Sequence, residues 1–217
     1  MVSKKDCRRR NMQNWLTVLK RLLDWLLQNR EPEAVFLWLY RDAGAGKPSI
    51  IQTFTTQCVQ SSERHLLASF FFWRDDPRRS SHVALMATLI HEAVTVVAAL
   101  RPFVAATMEQ DSSILEKHLK HQIMSLLVEP INSLVSDSDF KRSSIPSLIL
   151  IDGLDECSGT NNQCSILKAF AETLPHCHHT LRILITSRGN RNQGGVQLGP
   201  SSPPLCVSCP RHLIQTR

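Results

Sequence analysis

The sequence has no long apolar run, no apolar leader and no internal repeat at the period of a solenoid. Its longest nearly continuous apolar stretch, Ala93 to Leu100, is far shorter than the roughly 20 residues that a helix needs to cross a bilayer, so no membrane span is expected. Apolar residues still make up 42% of the 217 residues, which excludes a wholly disordered chain and a miniprotein held by disulfides.

Neither a secretory signal nor a disulfide framework is evident. The basic residues near the start, Lys4, Lys5 and Arg8 to Arg10, lead into an amphipathic segment and not into an apolar core. The seven cysteines are odd in number and scattered along the chain. We therefore expect a reducing, intracellular and cytoplasmic setting.

The net charge of +6 belongs to the two ends of the chain. Residues 1–30 carry a balance of +6 and residues 189–217 a balance of +3, whereas residues 31–188 carry −3. Neither end carries a recognisable nucleic-acid-binding module. Specific binding of nucleic acid is therefore not expected.

Local patterns divide the chain into three parts. Residues 1–33 form a basic segment whose apolar residues recur every three or four positions between Trp15 and Leu27, which indicates an amphipathic helix. Residues 34–188 alternate short apolar runs with helical patterns. Residues 189–217 hold four of the eight glycines and four of the eleven prolines without apolar periodicity, which predicts a disordered tail rich in glycine, proline and serine.

Alternating strands and helices in the middle part predict a three-layer α/β fold, with a parallel sheet of four strands, or at most five, between helices. The predicted strands are 35–40, 66–73, 147–152 and 181–186, and the predicted helices are 48–60, 83–99, 103–109, 114–128 and 163–174.

The segment from Arg41 to Ser49 has the pattern and the position of a phosphate-binding loop, between a predicted strand and a predicted helix. Its glycines let successive N–H groups turn toward a phosphate, and Lys47 can reach the terminal phosphates. The predicted nucleotide-binding residues are Gly44, Ala45, Gly46, Lys47 and Ser49.

Two positions of this loop depart from the pattern G-x-x-x-x-G-K-[ST]. Arg41 stands where the first glycine belongs, and Pro48 stands where a serine or threonine belongs. Proline has neither the hydroxyl that binds Mg²⁺ nor the N–H that binds phosphate, and Ser49 lies about 100° further around the helix. We therefore expect weakened nucleotide binding with little or no hydrolysis.

A second motif follows the apolar run Leu148 to Ile151. Asp152 ends this predicted central strand, at the edge of the sheet where ligands bind, and is placed to hold Mg²⁺. Asp155 and Glu156 follow in the next turn, where either carboxylate could orient a water molecule or accept its proton.

The run Leu148 to Cys157, with a glycine directly after the aspartate at the strand end, resembles the NACHT class of signal-transduction NTPases. The segments Phe36 to Leu39, Ser69 to Phe72 and Leu181 to Arg188 resemble NACHT or nephrocystin-like N-terminal domains, which are abundant in fungal NOD-like (STAND) proteins. The resemblance covers residues 12–188. It implies a regulatory ATP/ADP-binding module with Mg²⁺, in which Asp152 binds the metal, Asp155 and Glu156 form the acidic pair, and Arg188 senses the γ-phosphate.

The family fold has five parallel strands, and in this chain the last of them is expected to be missing. The strand before the phosphate loop would then be a free edge, able to pair with a second copy or with family members. Two alternatives to a nucleotide-binding module follow, namely a non-catalytic interaction or decoy fragment and a decayed gene product.

Three weaker signals concern polar residues. Cys206, Cys209 and His212 supply too few ligands to predict a zinc site, and residues 176–179 are expected to form a polar loop. Arg78 and Arg79 are expected to pair with nearby acids in a solvated loop.

Overall fold

The computed structural model describes residues 4–27, 35–41, 47–61, 64–188 and 206–208, with side chains in 16–27, 35–39, 50–61 and 64–188. The strands are β1 (Phe36–Arg41), β2 (Leu66–Phe71), β3 (Leu148–Asp152), β4 (Arg182–Arg188) and β5 (Cys206–Ser208). The α-helices are α1 (Lys4–Leu27), α2 (Lys47–Gln60), α3 (Val83–Val96), α4 (Arg101–Gln110), α5 (Leu119–Ile123), α6 (Glu129–Ser136) and α7 (Thr160–Thr173).

The sheet has the order β2-β3-β4-β1-β5. Its first four strands pair in parallel, with β3 and β4 in the interior. This arrangement confirms the predicted three-layer α/β fold with four parallel strands. All four strands therefore present their carboxyl ends at one edge of the sheet, where the phosphate loop and the acidic turn were predicted.

Alternate residues of the strands enter two separate cores. In β3, Ile149 and Ile151 pack with α3 to α7 on one face, while Leu148 and Leu150 pack with α1 and α2 on the other. All four side chains are 0% exposed. A strand covered on both faces reads as a continuous apolar run, which is why this segment is apolar throughout.

The amphipathic helix α1 packs on its own domain. Val18, Leu19, Leu22 and Leu26 are buried against the helix α2 and the sheet. The leucine stripe predicted from spacing is wider than the buried face, because Leu16 and Leu27 are 53% and 57% exposed.

The prediction of one helix over 114–128 is wrong. Residues 114–116 form a 3₁₀ turn, and α5 begins only at Leu119. The Gln122 side chain donates hydrogen bonds to the carbonyls of Leu115 and Lys117, which closes this turn. The helix then continues through a π-helical turn, Met124–Val128, into α6, and the wider turn accommodates Pro130.

The prediction that the whole segment 189–217 is disordered is wrong at Cys206–Ser208. These residues form β5, which pairs antiparallel with β1 at Trp38, Leu39 and Tyr40. The edge that was expected to be free is therefore covered over three positions. Residues 189–205 and 209–217 lie outside the described residues.

No single helix in the described part of the chain is long and apolar enough to cross a membrane. One bent pair, Val83–Val96 with Ala98–Gln110, passes the same test only when its two halves are taken together.

Candidate functional site

Three predicted site residues lie at the carboxyl ends of neighbouring strands. Arg41 ends β1, Asp152 ends β3 and Arg188 ends β4. The register pairs Arg41 directly with Arg188. Ligands of open parallel sheets bind outside this edge, so the sheet brings these three residues to the place where a nucleotide site is expected.

The helix that follows the phosphate loop begins at Lys47. Pro48 and Ser49 lie in the first turn of α2, where proline is well tolerated because the N–H that it lacks has no partner within the helix. The positive end of the helix dipole therefore follows the loop directly, as an anion site requires. Residues 42–46, including Gly44, Ala45 and Gly46, lie outside the described residues, and so do the side chains of residues 47–49.

Asp152 is held by a neighbouring strand through Thr186. The Thr186 hydroxyl donates a hydrogen bond to Oδ1 of Asp152 and accepts one from the Gly153 N–H at 3.0 Å. Thr186 is 2% exposed, so its hydroxyl orients the carboxylate from the interior of the sheet. The sequence offered no signal for this contact beyond the position of Thr186 two residues before the predicted sensor.

Replacing Thr186 with valine should lower the free energy of unfolding by about 1–3 kcal/mol, because the Gly153 N–H would lose a buried partner. Urea unfolding followed by circular dichroism measures this change. Thr95→Val is the matched control, since the Thr95 hydroxyl binds the His91 carbonyl on an exposed helical surface. Equal, small effects of both substitutions would show that Thr186 does not hold the strand end.

Gly153 turns the chain from β3 into the acidic turn. Its φ angle is 71°, in the left-handed region that favours glycine. A Cβ at this position would lie 3.2 Å from the carbonyl oxygen of Phe72, so the close approach of this backbone also requires glycine. The tight bend places residues 154–156 in a 3₁₀ turn beside the end of β4.

The acidic turn binds Arg188. The backbone N–H of Arg188 donates to Oδ1 of Asp155 at 2.7 Å, and the side-chain Nε of Arg188 lies 3.1 Å from Oδ2 of the same carboxylate. Its Nη2 lies 2.8 Å from Oε1 of Glu156. The Glu156 hydrogen bond, with the negative charges of both acids, raises the pKa of Arg188 above its ordinary value.

Arg74 is a further residue of this site, and it was missed in the sequence. It lies just beyond β2, and its backbone N–H donates to Oε2 of Glu156 at 3.2 Å. Its Nη2 donates to the carbonyl of Asp155 at 3.2 Å. The signal that could have found it is its position, since the carboxyl end of β2 meets that of β3 at one edge.

These contacts limit what the acidic pair can do chemically. Asp155 and Glu156 were predicted to orient a water molecule or to accept its proton. Both carboxylates already accept hydrogen bonds from Arg188, so their oxygens are occupied by this arginine in the structure. The arrangement suits the positioning of an arginine better than it suits general-base catalysis.

The neighbouring loop confirms the interpretation of Arg79. Its Nε lies 2.8 Å from Oδ2 of Asp76, and its guanidinium lies 4.7 Å from the centre of the Trp73 ring. The Arg79 hydrogen bond is the main reason that the pKa of Asp76 is lowered. This surface pair stabilises the loop and leaves Arg79 engaged within it.

A metal centre made of protein side chains alone does not form in the part of the chain that the structure describes. No group of three or more histidine, cysteine, aspartate or glutamate side chains is placed to hold an ion there. Cys209 and His212, two of the three residues that were too few to predict a zinc site, lie outside that part. For Mg²⁺, the residue that fits by position and chemistry is Asp152, with a bound nucleotide and water supplying the remaining ligands.

The fold and this edge of the sheet define a class of protein. Four parallel strands between helical layers, with a loop leading into α2 and an acidic turn after β3, make a three-layer α/β domain of the P-loop NTPase type. The family model described as nephrocystin 3, N-terminal, matches residues 11–188, and the chain belongs to that family. This match confirms the resemblance to nephrocystin-like and NACHT-type domains. No curated protein and no solved structure matches the chain significantly.

Proposed function

We propose that this chain is the nucleotide-binding module of a NACHT-type regulatory protein of the NOD-like kind. It binds ATP or ADP weakly, with Mg²⁺, and hydrolyses the nucleotide little or not at all. In an intact relative, exchange of the nucleotide would switch the protein between conformational states.

The observation that carries this proposal is the convergence of charged groups at one edge of the sheet. Arg41 and Arg188 are in register there, and α2 begins at Lys47 with its positive dipole end. Asp152 ends β3, two strands from β1, and would hold the cation. Positive groups for phosphates next to an acid for Mg²⁺ are the two elements that nucleotide binding needs.

Weak hydrolysis follows from two separate features. Pro48 supplies neither the hydroxyl nor the N–H that Mg²⁺ and phosphate need at its position. Asp155 and Glu156 are engaged by Arg188, so neither is a free base in this conformation. Catalysis would require both features to change.

The interaction or decoy alternative drew its support from a free edge at β1. That edge is occupied by β5 at three positions. At the opposite edge, the Ser69 N–H on β2 donates to Oε2 of Glu92 at 2.6 Å, which satisfies one outward-facing group. Part of the row of backbone groups at each edge of the described sheet is therefore already bonded, which weakens the support for strand pairing.

Titration with a fluorescent ATP analogue and its ADP counterpart, each with and without Mg²⁺, tests the proposal. We expect saturable binding of both, which Lys47→Ala should weaken about tenfold or more, because a charge-assisted hydrogen bond contributes about 1.5–3 kcal/mol. Phosphate release should not exceed that of the Lys47→Ala variant.

Lys168→Ala is the matched control. This lysine lies on α7, its side chain is 75% exposed, and its Nζ makes a long ion pair of 3.8 Å with Oε1 of Glu172. It should leave nucleotide binding unchanged. If the wild-type chain shows no saturable signal, or if both lysine variants bind equally well, the proposed function fails.

A further inference from the structure

Glu156 binds two parts of the structure that share no hydrogen bond or ion pair with each other. Its Oε1 accepts a hydrogen bond from Nη2 of Arg188 at 2.8 Å, and its Oε2 accepts one from the Arg74 N–H at 3.2 Å. Within residues 64–188, no hydrogen bond or ion pair joins Arg188 to the loop that contains Arg74. One carboxylate thus connects the end of β4 with the loop after β2.

Loop 73–81, which contains Arg74, is attached near both of its ends to the acidic turn or to the residues just after it. Nη2 of Arg74 binds the Asp155 carbonyl, and the Ser158 N–H donates to the Ser80 carbonyl at 2.7 Å. Within the loop, the Trp73 N–H donates to the Arg79 carbonyl at 3.0 Å, which closes it into a compact unit. A displacement of the acidic turn therefore acts on loop 73–81 as a whole.

Arg188 is half exposed, whereas the two carboxylates that it binds are mostly covered. The exposed fractions are 52% for the arginine side chain and 22% and 24% for Asp155 and Glu156. A ligand phosphate that attracts Arg188 would therefore withdraw the more exposed partner. Glu156 would lose a charged hydrogen bond and gain freedom to leave the Arg74 N–H.

We propose that Glu156 is a positioning residue that couples the engagement of Arg188 to the conformation of loop 73–81. In the structure as it stands, Arg188 holds Glu156, and Glu156 holds the first residues of the loop. Release of Arg188 loosens the loop and changes the presentation of Trp73, whose exposed fraction is now 50%. The part of this inference that involves nucleotide rests on the proposed function, but the coupling itself does not.

Hydrogen exchange of peptides spanning residues 73–81 tests the coupling in the protein without nucleotide. Arg188→Gln should speed exchange in these peptides about fivefold, the factor expected for one lost hydrogen bond, although Arg188 makes no hydrogen bond or ion pair with them. Glu156→Ala should have the same effect. In the double variant the two effects should be less than additive, because both substitutions break the same bond between Arg188 and Glu156.

The control is Glu172→Ala, which removes a carboxylate on α7 that lies 2.8 Å from Nζ of Lys120. It should leave exchange in the loop unchanged, and Arg188→Lys should restore part of the protection. Slow hydrogen exchange in β3, which lies in the interior of the sheet, shows that each variant is folded. Additive effects of Arg188→Gln and Glu156→Ala, or no effect of Arg188→Gln on the loop, would overturn the proposal.

A second arm adds a non-hydrolysable ATP analogue or ADP to the wild-type chain. If both bind, the ATP analogue should speed exchange of loop 73–81 more than ADP does, and Glu156→Ala should abolish the difference. If neither binds, the proposed function fails, and the coupling is decided by the variants alone. Equal effects of the two nucleotides would show that the phosphate does not act through Arg188.

Discussion

Replacing Phe54 with alanine should lower the free energy of unfolding by about 3–5 kcal/mol, the usual cost of truncating a fully buried aromatic side chain. Phe54 is 0% exposed and lies on α2 in the core that joins α1 and α2 to one face of the sheet. Its removal leaves a cavity between the helix and the strands. Urea unfolding monitored by circular dichroism should show the loss as a lower midpoint with an unchanged slope.

Val59→Ala is the matched control, because Val59 lies on the same helix but is 42% exposed. It should cost within about 0.5 kcal/mol, as surface substitutions usually do. The comparison also has a functional side, since α2 begins at Lys47 and supplies the helix end next to the phosphate loop. A cost below about 1 kcal/mol for Phe54→Ala would mean that α2 is not fixed on the sheet.

The predicted core could be recognised because burial leaves a local record in the sequence. β3 is apolar at four consecutive positions because helices cover both of its faces. The apolar character and the length of this run were enough to predict that Asp152 ends the strand. For β4 the apolar pattern predicted a strand that ends at Thr186, two residues early, and Arg188 at the strand end was implied by the family resemblance.

Contacts between distant residues left no such record. Arg74 lies 82 positions from Glu156, and Thr186 lies 34 positions from Asp152. Local periodicity does not report which side chains meet across a sheet edge. The Gln122 contacts that end the turn before α5 are equally invisible to a helical pattern.

The pairing of β5 with β1 shows the same limit in the backbone. Cys206–Ser208 has three residues, too few for a recognisable alternation, and lies in a segment rich in glycine, proline and serine. Its pairing depends on the row of hydrogen-bonding groups that β1 presents next to it. A strand that is defined by its partner cannot be found from its own composition.

Restoring the phosphate loop should produce the largest gain in nucleotide affinity. Pro48→Ser returns an N–H for phosphate and a hydroxyl for Mg²⁺ in the first turn of α2, and Arg41→Gly returns the backbone freedom of the first loop position. One charge-assisted contact contributes about 1.5–3 kcal/mol, so the double variant, which regains two, should bind Mg²⁺–ATP at least about 100-fold more tightly. Isothermal titration calorimetry measures the change in Kd.

Magnesium separates the two groups that the substitution Pro48→Ser introduces. The gain from the hydroxyl should disappear when Mg²⁺ is removed, while the gain from the N–H should remain. Pro102→Ser is the matched control, because Pro102 also lies in the first turn of a helix, α4, which packs against α6 and the π-helical turn Met124–Val128. It should leave the Kd unchanged.

The same double variant distinguishes a binding defect from a catalytic one. The two substitutions leave the acidic turn unchanged, and the backbone N–H of Arg188 still binds Asp155 when the guanidinium turns toward a phosphate, so tighter binding should bring little increase in phosphate release. A large increase would show that the acidic pair is released when nucleotide binds and can then act as a base. Unaltered binding would show instead that Arg41 and Pro48 are not what weakens this site.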